Sequence, residues 1–104
     1  MENKPPDREQ LLFLNLVQSL VGSAWIALGK LQNPVTKQTS LNLPEAEMSI
    51  DLLAMLQTKT RGNLTPEEQH VLEKALSDLR MNYFEIKIKT PSQPDSTAAP
   101  QQQA

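Results

Sequence analysis

The chain has no cysteine, so neither a disulfide framework nor a thiolate metal site stabilises it. Its one histidine, His70, leaves little material for imidazole acid–base or metal chemistry. Three glycines occur, Gly22, Gly29 and Gly62, too far apart to build a phosphate-cradling loop. Aromatic side chains are scarce: Phe13, Trp25, Tyr83 and Phe84. Lys and Arg are spread along the chain, and the formal net charge is -2, which argues against the basic surface of a nucleic-acid-binding protein. No internal repeat is visible. A length of 104 residues suits one domain rather than two.

Composition divides that length. Residues 1–6, MENKPP, carry no apolar pattern, and 90–104, TPSQPDSTAAPQQQA, carry no large apolar residue. The sequence predicts a disordered N-terminus over 1–6, a helical domain over 7–89 and a disordered Pro/Gln/Ser-rich tail over 90–104. About 80 residues are left to fold, a size at which a lone hydrophobic core is marginal.

The stretch KTRGNLTPEE, 59–68, specifies a helix stop and a helix start almost back to back. Gly62 fits the position just past a helix end, where positive φ favours glycine. Lys59 and Arg61 complement the negative end of the preceding helix dipole. Thr65 is the expected N-cap and Pro66 the first helical residue, whose missing N–H costs nothing there. Thr65 with Glu68 predicts a capping box. The hydrophobic staple is incomplete, because Leu64 would face Gln69. The run therefore predicts the turn of a helical hairpin. The functional alternative is an anion site formed by Lys59, Arg61 and Asn63, which Glu67 and Glu68 would oppose.

Upstream, a helical segment is predicted from Asp7 to about Leu31, ended by Asn33-Pro34. Residues 11–29 carry no charge and approach the length of a membrane span. The helical wheel favours an amphipathic helix buried in protein. Arg8, Asn15, Gln18, Ser19, Gly22, Ser23 and Lys30 share one stripe, broadly opposite Phe13, Leu14, Leu16, Val17, Leu20, Val21, Ala24, Leu28 and Leu31. Contact with a membrane surface is the alternative. A signal peptide is not expected: Glu2, Asp7 and Glu9 precede the apolar run, and no small-residue cleavage pattern follows. Gly22 and Gly29 suggest that another backbone approaches this helix closely; the alternative is a tolerated glycine near a fraying helix end, which suits Gly29 better than Gly22.

The next helix, predicted over 43–61 behind the cap Asn42 and Pro44, is apolar nearly all round. Ala46, Ile50, Leu53 and Ala54 lie on one side. Met48, Leu52, Met55 and Leu56 occupy others, and Glu47, Asp51 and Thr58 mark a narrow wet edge. Two further helices from the same chain cannot surround such a helix, so a second subunit is expected to cover it. A groove for an unidentified partner helix is the alternative. The third helix, from Pro66 to about Lys87, carries Leu72, Leu76, Leu79, Tyr83 and Ile86 at heptad spacing. Its end, FEIKIK, also alternates like a strand.

Two chemical motifs occur in outline only. Glu67-x-x-His70 matches half of a di-iron carboxylate motif, but His70 falls opposite the leucine seam and should face water. The hairpin has the outline of a helix-turn-helix, but Glu67 and Glu68 stand where phosphate contacts would be made.

The segments LVQSLVGSAWIALGKLQNP, 16–34, and IDLLAMLQTKTRGNLTPEEQHVLEKALSDLRMNY, 50–83, resemble an uncharacterised bacterial family, domain of unknown function 1844. Its mark is a KT-basic-GNLT-x-EE core. The resemblance implies an α-helical fold and a bacterial source, and it supplies no catalytic residues.

These readings converge on an all-α protein of three helices, the second and third forming a hairpin. The expected function is a non-enzymatic, cytoplasmic, self-associating assembly module, a homo-oligomer of two or more chains without cofactor or metal. Its expected contact residues are Ser19, Gly22, Ser23, Met48, Leu52 and Met55. Gly62, Thr65, Pro66 and Glu68 are expected to act structurally. A peripheral membrane adaptor using the first helix is the alternative function.

Overall fold

A computed structural model describes residues 7–89; the two predicted tails lie outside these. Three helices follow in order: α1 (Arg8–Ala27), α2 (Leu43–Lys59) and α3 (Pro66–Lys89). The described residues contain no strand, only an isolated bridge between Leu28 and Leu41. The strand alternative for 84–89 is overturned, since α3 continues through that segment.

Each helix start has a side-chain cap. Asp7 accepts from the Gln10 N–H at 2.8 Å, and Asn42 accepts from the Glu45 N–H at 3.1 Å. At α3 the box closes both ways: the Glu68 N–H donates to Thr65 Oγ1 at 3.1 Å, and the Thr65 N–H donates to Glu68 Oε1 at 2.9 Å. These bonds satisfy backbone donors that a helix start leaves orphaned.

The end of α1 corrects the expected boundary. The helix stops at Ala27 rather than near Leu31, because Gly29 adopts φ +78. The Gly29 N–H donates to Ile26 O and the Lys30 N–H to Trp25 O, the two bonds of a Schellman stop. A Cβ on Gly29 would lie 3.5 Å from Ser40 O, so a close backbone approach does occur there. At Gly22 a Cβ would meet nothing within 4 Å, and the expected close approach is not made among the described residues.

Gly62 has φ +87 inside a turn closed by Asn63 N–H to Thr60 O at 2.9 Å. A Cβ there would touch nothing, so the demand for glycine is one of backbone conformation alone. Gly62→Val should cost about 1–2 kcal/mol, read by thermal melting. An unchanged melting temperature would contradict that reading.

Contacts fix the helix directions. Gln10 Nε2 donates to Glu67 Oε1 and Lys30 Nζ to Asn82 Oδ1, so α1 and α3 run the same way. Tyr83 OH donates to Glu47 Oε1, so α2 runs against α3, and hence against α1. The Asn42 N–H donates to Ala27 O, tying the start of α2 to the end of α1.

The core is small. Val17, Ala24, Ala27 and Leu28 meet Leu43, Ala46, Ile50 and Leu53 of α2 and Leu72, Leu76 and Leu79 of α3. Eight of these are larger than alanine, whereas twelve large apolar side chains among the described residues remain exposed. One copy of the chain therefore leaves much of its apolar material in water.

Candidate functional site

The second helix has two unlike faces. Ala46, Ile50 and Leu53 point into the core. Met48, Leu52 and Met55 point away, with 61%, 37% and 45% of their surface exposed. The near-all-round apolar pattern is thus resolved into a buried side and an uncovered side. At 100° per residue, Glu45, Met48, Leu52, Met55 and Lys59 fall within an arc of about 80°. That arc is apolar in the middle, acidic at one end and basic at the other. Neither Glu45 nor Lys59 has an ion pair among the described residues.

The first helix presents a matching surface. Leu12, Leu16, Ser19 and Ser23 are all exposed and fall within an arc of about 60°. Leu16 was expected on the buried side of the wheel. It stays outside because it falls about 20° from Ser23 and about 60° from Ser19 around the helix, within the polar stripe and away from the buried Val17 and Ala24. Gly22 borders the same surface and is half-buried.

Both stripes lie away from α3. Gln18, Val21 and Trp25 form the side of α1 that meets α3, where they share a shallow groove of about 210 Å³ with His70, Val71, Lys74, Ala75 and Asp78. On α2, Glu47 marks the side towards α3 through Tyr83. Leu52 is about 140° from Glu47 around the helix and Glu45 about 160°. The expected contact residues of α1 and α2 are therefore neighbours on one side of the molecule. The sequence reading missed Leu12 and Leu16 as members of that surface, and the 4-3-4 spacing of Leu12, Leu16, Ser19 and Ser23 was the available signal.

A further exposed stripe, Met81, Phe84 and Ile88, lies on α3. It too was missed, because the apparent strand alternation of 84–89 obscured its helical spacing.

The other singled-out residues serve structure. Glu68 is buried within the cap of α3. Thr65 and Pro66 start that helix, and Gly62 makes the turn. Cap formation engages the N–H groups of Thr65 and Glu68, two donors that an anion at Lys59, Arg61 and Asn63 would have used. His70 is exposed, and Glu67 is engaged by Gln10 rather than directed at His70. Among the described residues no three acidic or histidine side chains converge. Burial, with the carboxylates of Glu47 and Asp51 nearby, pushes the Tyr83 hydroxyl above its ordinary pKa.

Compared with known families, residues 10–85 match the one described as Domain of unknown function (DUF1844), a span that includes most of α1, all of α2 and most of α3. No curated protein and no solved structure matches the chain.

Proposed function

We propose that this chain, which belongs to the family Domain of unknown function (DUF1844), is a non-enzymatic cytoplasmic module that self-associates through the outer surface of α1 and α2. The observation that carries this is the exposure of Met48, Leu52 and Met55 on the face of α2 opposite its buried residues. A contiguous exposed apolar stripe is a candidate interaction surface. Methionine suits such a surface because its unbranched thioether packs adaptably.

Peroxide oxidation tests the proposal with an internal control. Met81, on α3, is 55% exposed, between Met55 and Met48. In an isolated chain the three should oxidise at comparable rates. Self-association through α2 should slow Met48 and Met55 at high protein concentration and leave Met81 unaffected. Comparable rates for all three at every concentration would contradict the proposal.

A second reading has its own support. Arg8–Ala27 is long and apolar enough to cross a membrane by length and composition, and only 17% of its apolar window is buried. A peripheral adaptor would use that helix against lipid. Co-sedimentation with anionic vesicles, abolished by Leu12→Glu, would favour it over self-association.

A further inference from the structure

We infer that the second copy docks with α2 against α2 in antiparallel register, about a two-fold axis that passes at Leu52. The inference rests on the self-association reading and adds the geometry of the contact.

The outer stripe of α2 is self-complementary in one direction only. Its order is Glu45, Met48, Leu52, Met55, Lys59. Reversed about Leu52, it places Leu52 on Leu52 of the second copy, Glu45 on its Lys59, and Met48 within about one residue's rise of its Met55. Each charged end then meets its opposite twice, once on either side of the axis. A parallel pairing would set Glu45 on Glu45 and Lys59 on Lys59, a like-charge arrangement that opposes docking.

The first helix fits the same axis. The bond between Asn42 N and Ala27 O aligns the antiparallel pair, so Leu52 lies about level with Val17. A two-fold at that height relates Leu12 of one copy to Ser23 of the other, and Leu16 to Ser19. The large side chains of the N-terminal half of α1 thus meet the small ones of its C-terminal half. Gly22 borders this contact with open space where a Cβ would stand. That opening gives the second copy room to approach. Charge on α2 and side-chain size on α1 select the same symmetry independently, which is the behaviour of an isologous interface.

Charge exchange and crosslinking test the register. Glu45→Lys and Lys59→Glu should each weaken dimerisation by about tenfold, because each turns two attractive contacts into two repulsive ones. The combined variant should return to within about threefold of the wild type, because opposite charges meet again. Leu52→Cys introduces the chain's only cysteine. On mild oxidation it should link two chains much faster than Met48→Cys, because only position 52 meets itself across the axis. A wild-type chain that never self-associates would overturn the self-association reading itself. A wild-type dimer whose combined charge variant is no stronger than the single ones, or whose cysteine at 52 links no faster than the one at 48, would overturn the antiparallel register alone.

Discussion

Leu53→Ala should lower the unfolding free energy by about 3 kcal/mol, within the range of large-to-small substitutions in well-packed cores. Leu53 has no exposed surface and belongs to the core cluster to which all three helices contribute. Alanine removes the transfer free energy of the lost atoms and leaves a cavity that the short helices close only in part. The core holds eight side chains larger than alanine, so losing one removes a large share of the burial. For a domain of about 80 residues the melting temperature should fall by roughly 12–24 °C. A fall of a few degrees would mean that Leu53 does not anchor the core.

Leu52→Glu, one residue away, should do the opposite: leave the folded chain intact and abolish its assembly. Leu52 projects to the other side of α2, and its exposure in the single chain means that a glutamate there remains hydrated. In the dimer two such glutamates would face one another at the centre of the contact, where desolvation and repulsion add. Truncations at an interface centre cost about 2 kcal/mol or more, and introduced charge adds to that, so the dissociation constant should rise by about 100-fold or more. The helical circular-dichroism signal of the dilute chain should be unchanged. A variant that assembles like the wild type would place Leu52 outside the contact.

This contrast between positions 52 and 53 was partly legible in the sequence. The period of α2 assigns Ala46, Ile50 and Leu53 to one side and Met48, Leu52 and Met55 to others. Composition does not say which side the chain covers for itself. The hairpin was the most legible part, because Gly62, Thr65, Pro66 and Glu68 each have one local backbone role that the residue type announces. The end of α1 was not. Asn33-Pro34 looked like the stop, while the stop is made by Gly29, whose positive φ is fixed by bonds to Ile26 O and Trp25 O and by the approach of Ser40. Those bonds are local, and Gly29 is itself a helix-stop signal in the sequence, masked by the more conspicuous Asn33-Pro34 beyond it. Leu16 was misplaced on the wheel itself: it falls about 20° from Ser23 and about 60° from Ser19, inside the polar stripe rather than opposite it. The exposed stripe Met81, Phe84 and Ile88 was hidden by a two-residue alternation that fits a strand and a helix edge equally well.

Whether a second copy of the chain covers the outer side of α1 and α2 is read by light scattering on a sizing column, with untagged protein in detergent-free buffer over a dilution series. Self-association should give a particle of about twice the 11.6 kDa chain mass that dissociates on dilution, and at far higher concentrations in Leu52→Glu. A folded species of single-chain mass at every concentration would contradict it, and the uncovered faces of α1 and α2 would then belong to a different partner or to a lipid surface.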